Sequence, residues 1–244
     1  MGSVKTMAHM DNEEAPEMKN PEMKNPEMKN PEMKNPEMKN NDILDLADWR
    51  RRVSDLYGRV RRAAEPRLGW EQWRDTRDAM FGSHPQSPIA PNDRSTYAGV
   101  PLFDHDPAVR FLVDVETIED AVEETWDIAA DGALRLFPGL RTRGLQEAFG
   151  GELTIYQIKG YGGGLFLPFK DATCGAETYG GGRYLLDTIK GADLGMEAGK
   201  LVLDFNLAYH PSCRHSDAWV CPLAPTGNTL PVAVRAGERM SVPV

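Results

Sequence analysis

The stretch Gly160–Thr188 reads GYGGGLFLPFKDATCGAETYGGGRYLLDT. Two runs, Leu165–Phe169 and Tyr179–Leu186, flank the polar turn Asp171–Gly175, and a glycine triplet precedes or opens each. Aspartate bonds its own backbone in turns and glycine accepts a positive φ, so the segment reads as two short antiparallel strands joined by DATCG. Side chains alternate along a strand, which places Tyr179, Gly181, Arg183, Leu185 and Asp187 on one face. Glycine within a strand lets a ligand approach closely, and an arginine beside the gap suits two-point capture of a carboxylate or phosphate. The competing reading is a barrel corner with a structural Arg–Asp pair. Neither triplet has the Gly-x-Gly-x-x-Gly spacing of a dinucleotide fold, and no cofactor is expected.

The same alternation recurs on both sides. Phe111, Val113 and Val115 alternate, as do Leu153, Ile155 and Gln157. Ile128–Phe137 reads as a hairpin turning at Asp131-Gly132. Leu201–Phe205 and Leu230–Val234 complete the set. Upstream, the period is helical. Leu46, Trp49, Val53, Leu56, Tyr57, Val60 and Ala64 share one face until Pro66, and Trp70, Trp73, Arg77 and Met80-Phe81 mark a second helix. No alternation of strands with crossover helices occurs, which argues against a parallel sheet. The expected fold is α+β: two N-terminal helices on a mainly antiparallel barrel or sandwich.

Residues 16–40 are five copies of Pro-Glu-Met-Lys-Asn. Proline every fifth residue opposes a helix, and one Met per repeat drifts around a helix without forming a face. Residues 1–40 are expected to be a disordered, tag-like tail. The expected single domain spans 41–244, helical over 41–82 and mainly β over 83–244. That part carries about seven net negative charges, which argues against nucleic-acid binding. No apolar run is long enough to cross a membrane. Three cysteines, an odd and low number, suit a reducing cytoplasm.

Nine arginines lie between Arg50 and Arg77, interleaved with aromatics. They read either as a solvated face covering apolar stems or as a surface for RNA or an acidic partner. The acidic stretch Asp114–Asp131 is a further expected partner within the fold.

LVLDFNLAYHPSC, Leu201–Cys213, places Asp204 and Asn206 on one strand face. A buried carboxylate needs a partner, and Arg183 is the natural one, whether the pair is structural or catalytic. His210, Cys213, His215 and Cys221 are ligand-type side chains for a tetrahedral zinc. Their spacing matches no standard zinc module, so no metal is expected. Burial as small hydrophobes is the ordinary fate of Cys213 and Cys221. Asn228 is expected to brace the proline-rich segment after Cys221.

The strings WRDTRDAMFGSHPQSPI, PFKDATCGAETYGGGRYLLDT, LDFNLAYHPSC and CPLAP, followed by Asn228 and AGE, resemble a bacterial domain-of-unknown-function family, number 1684, in its actinobacterial forms. The resemblance runs from about Trp49 to Arg239, and it implies no reaction. His210 and His215 look like departures from the family pattern. The expected function is binding of a small anionic molecule, by a binding protein or an enzyme. Tyr179, Arg183, Asp204 and Asn206 would line the site, with Asp171 and Glu177 as second choices. The alternative is an interaction or structural module using the arginine-rich helices.

Overall fold

A computed structural model describes residues 40–128 and 132–241. The repeat-bearing tail and Asp131 of the expected turn lie outside the described residues.

Helix α1 spans Asn40–Arg61 and α2 spans Pro66–Ser83. Pro66 occupies the first turn of α2, where its missing N–H costs nothing. Trp70, Trp73, Met80 and Phe81 are the buried large side chains of α2. Trp73 and Trp70 pack with Leu56 and Tyr57 of α1 and with Ala192 and Leu207 beyond the helices. Trp73 Nε1 donates to the Tyr57 hydroxyl at 3.3 Å.

The strands are β1 (Arg110–Thr117), β2 (Glu124–Asp127), β3 (Ala133–Arg143), β4 (Thr154–Ile158), β5 (Gly164–Phe169), β6 (Arg183–Asp187), β7 (Met196–Glu197) and β8 (Lys200–Asp204). They pair in the order β6-β5-β4-β3-β1-β8-β7, with β2 on β3, and every pairing is antiparallel. The sheet curls into a half-barrel behind the two helices, so the fold is α+β as expected. Register shifts occur between Phe137 and Leu140 and between Leu167 and Pro168. Both fall at a proline, which cannot donate to the ladder and is tolerated in strands at such irregularities.

Both faces of β5 and β6 are buried. Leu167, Phe169 and Leu185 join the main core with Val113, Leu153 and Phe205. Phe166 and Tyr184 pack on the opposite face with Leu136 and Tyr156. That double burial explains the near-continuous apolar run in the sequence.

Several expectations need correction. The hairpin's first strand is Glu124–Asp127, earlier than read, and Ile128 N donates to Gly132 O at 2.8 Å to close the turn. Tyr179–Gly182 is not strand: Gly182 has φ +88°, and a Cβ there would meet Phe169 O at 2.6 Å. Leu230–Val234 forms no strand. Pro231 interrupts its donors, and the segment is tied to residues 170–172 by Leu230 N to Lys170 O and Ala172 N to Val232 O. The strand carrying Asp204 ends there, and Phe205–Leu207 is a 3-10 turn. The acidic residues Asp114, Glu116 and Glu123 pair with Lys200, Arg143 and Arg135, not with the helix arginines.

Candidate functional site

A buried polar spine links the helices, the sheet and the C-terminal segment. Glu238, fully buried, accepts from Arg77 Nε on α2 and from His210 N at 2.7 Å. Burial alone would lower the Arg77 pKa, but Glu238 more than offsets it and the guanidinium is held charged. Arg77 lies 4.5 Å from the Phe81 ring and 4.9 Å from that of Tyr209. His210 Nε2 accepts from Tyr179 N at 3.2 Å, so the neutral ring carries its proton on Nδ1. Burial, and then the charges of Arg183 and Arg214, push its pKa down to about 3 despite Glu238.

A cleft of about 340 Å³ opens beside this spine, between the two helices, one face of the half-barrel and the segment 209–222. Trp49, Val53 and Tyr57 of α1 face Leu134, Phe166 and Tyr184 of the sheet across it. Its polar groups are few. Asp187, 3 % exposed, accepts from Lys190 N at 3.2 Å and pairs with Lys190 Nζ at 3.1 Å. Burial raises the pKa of Tyr57 and Tyr209, both cleft-lining, so their phenols stay protonated. Arg50 also lines the cleft, and its buried Nη1 meets no hydrogen-bond partner among the described residues.

None of the six ligand-binding residues expected from sequence lines this cleft. Arg183 is 1 % exposed and faces inward. Its Nη2 donates to Asp171 Oδ2 at 2.5 Å and to Val234 O at 2.8 Å, and its Nη1 to the carbonyls of Ala236 and Glu238. Its carboxylate partner is therefore Asp171, not Asp204. Asp171 also accepts from Thr173 N at 2.7 Å, as its turn position predicts. Asp204 caps the following 3-10 turn, accepting from Asn206 N at 3.0 Å and Asn206 Nδ2 at 2.8 Å. Burial raises its pKa despite those donors. Tyr179 OH lies 3.9 Å from Cys213 Sγ, and Glu177 grips Arg235 at the surface.

Among the described residues no three His, Cys, Asp or Glu side chains gather into a metal site. His210 is engaged by Tyr179 N, and His215 stands edge-on to Phe81 at 5.3 Å. Cys213 and Cys221 neighbour each other, and burial followed by that proximity pushes the Cys213 thiol up to about 11.

A family model described as a protein of unknown function (DUF1684) matches residues 95–239. The chain belongs to this family. The DUF1684 region supplies the sheet wall of the cleft, its lining residues Asp187, Tyr209 and His210, and the buried Glu238 of the spine beside it, while α1 and α2 precede the match. The chain is similar to an uncharacterized protein of the archaeon Haloarcula marismortui solved by solution NMR, at 35 % identity over 68 % of this chain and 90 % of the other, with a TM-score of 0.47. No curated protein matches.

The cleft residues Arg50, Asp187 and Tyr209 escaped the sequence reading. Asp187 was visible there only as the end of a strand face, and Arg50 only as one of nine arginines. Arg51 and Arg52 share Asp48, Arg67 pairs with Glu71, and Arg74 with Asp75. Arg50 differs from these neighbours in having a buried Nη1 without a partner.

Proposed function

We propose that this DUF1684 protein binds a small anionic molecule with an apolar body in the cleft between its helices and its half-barrel. The observation that carries the reading is the buried, unpartnered Nη1 of Arg50 beside a wall of aromatic rings. A concave, mostly apolar site with a few polar groups is the usual form of a small-molecule pocket. Lys190 is already paired with Asp187 and Arg77 with Glu238, which among the described residues leaves Arg50 as the lining cation available to an incoming anion. Burying an unsatisfied guanidinium donor costs free energy that an anionic ligand restores. The three free cysteines suit a reducing cytoplasm as the setting.

The probe for the test is anilinonaphthalene sulfonate, an aromatic anion whose fluorescence rises on burial. One molecule is expected to bind per chain, and Arg50→Gln to weaken it about tenfold, the loss of one charge-assisted hydrogen bond. Ser212→Trp, which narrows the cleft, is expected to abolish it. Unchanged binding in both variants, with near-ultraviolet circular dichroism showing intact folds, sinks the reading.

A further inference from the structure

A second, smaller cavity of about 170 Å³ is lined by Tyr97, His210, Arg214, His215, Arg239 and Ser241, together with backbone at Gly99–Pro101. Among the described residues no carboxylate side chain lines it. Glu177, whose field reaches Arg239, is already held by Arg235 through three short contacts. Two buried nitrogens of its lining residues have no hydrogen-bond partner among the described residues: Nε of Arg239 and Nε2 of His215. The His215 ring is fixed edge-on against Phe81, and Arg239 lies 5.7 Å from the Phe103 ring.

Burial, and then the charges of Arg77 and Arg214, lower the His215 pKa to about 4. Two guanidinium groups and a neutral imidazole line a space whose neighbouring carboxylates are already engaged, Asp78 by the Tyr97 hydroxyl at 3.0 Å and Val100 N at 2.8 Å, and Glu238 by Arg77 and His210 N. An anion there would accept from Arg239 Nε and, in the tautomer protonated at Nε2, from His215. Arginine presents its donors in a fork that fits the oxygens of phosphate and sulfate.

We propose that this cavity is a tetrahedral-oxyanion site, with Arg214, Arg239 and His215 as the binding groups. The ion enters either free or as the terminal group of a phosphomonoester. The site stands apart from the cleft, from which Arg214, His215 and Arg239 are absent, although His210 lines both.

The test is calorimetric titration of the full chain with inorganic phosphate and, separately, with methyl phosphate, which lacks the apolar body that the cleft would take. Saturable binding of inorganic phosphate marks a free-ion site, and binding of methyl phosphate alone marks a phosphomonoester site; either supports the proposal when Arg214→Gln weakens it. Arg214→Gln and Arg239→Gln are each expected to weaken the bound species about tenfold, while Arg50→Gln in the cleft leaves it unchanged. The His215 ring protons are expected to shift in the nuclear magnetic resonance spectrum as phosphate is added, a response that a merely structural arginine would not produce. Absence of saturable binding by both probes overturns the proposal. So does equal binding by wild type and Arg214→Gln. If Arg50→Gln weakens the phosphate as much as Arg214→Gln, the cavity is not a separate site and the proposal fails.

Discussion

Asp171 Oδ2 lies 2.5 Å from Arg183 Nη2, with both side chains 1 % exposed. The pair bridges the turn after β5 and the start of β6. Three carbonyls of the C-terminal segment complete the arginine's coordination. Burial disfavours the guanidinium charge, and Asp171 offsets only part of that, so the Arg183 pKa is lowered.

Removing one member should leave a buried charge unmatched. Asp171→Asn is expected to cost about 3–5 kcal/mol of stability. Adding Arg183→Gln should return part of the loss, because the orphan charge goes with it. Urea unfolding of the two variants checks this. A loss below about 1 kcal/mol for Asp171→Asn would mean the pair is solvated.

Asn228 is 1 % exposed and works as a piece of backbone. Its Oδ1 accepts from Thr154 N at 2.8 Å, and its Nδ2 donates to Thr154 O at 3.0 Å and Pro168 O at 2.6 Å. Asn228→Asp turns the two donors into acceptors facing carbonyls. It is expected to destabilise by at least about 2 kcal/mol and to speed amide exchange at Thr154. Unaltered exchange at that amide would refute the bridging role.

Acid should weaken the fold through His210. Its pKa is about 3 when folded against 6.5 for a free histidine. Within that window the unfolded chain binds the proton and the folded chain does not. Stability thus falls as pH drops below the upper value, by about 1.4 kcal/mol per pH unit from this group. Asp204 acts in the opposite sense, since its raised pKa favours the folded chain on protonation. Comparing wild type with His210→Gln cancels that contribution. Gln can still accept from Tyr179 N, so the variant should lose less stability on acidification. Parallel acid limbs would show that His210 is charged when folded.

Cys213 should be a slow nucleophile. A thiol pushed from 9.0 to about 11 carries about a hundredfold less thiolate at neutral pH. Alkylation by iodoacetamide at pH 7 is expected to be slowed accordingly, and Cys221→Ala should speed it by removing the neighbouring sulfur. Cys213 labelling as fast as a free thiol contradicts this.

The strands at Phe111–Val115, Leu153–Lys159, Leu165–Phe169 and Leu201–Phe205 were legible because burial on a pleated sheet leaves an alternating or continuously apolar trace. Tyr179–Gly182 looked like more of the same. There the glycines serve a turn and a close approach to Phe169 O, a constraint invisible without the neighbouring strand. The arginine at 183 was recognised, and an Arg–Asp pair was among its readings. Which aspartate it meets depends on how β5 curls into β6, and a register shift at Pro168 sets that locally. The cleft was illegible for a different reason. Arg50 has the same chemistry and spacing as the arginines beside it, and only the docking of α1 on the sheet makes it different.

The bond between Arg77 and Glu238 spans 161 positions of chain. A ribosome therefore delivers the helices long before the carboxylate that anchors them, and α1 and α2 must wait with Trp73, Phe81 and a charged Arg77 unsealed. Contacts so distant in sequence are made late and slowly. The helices gain their carboxylate anchor only once the segment that carries Glu238 has left the exit tunnel.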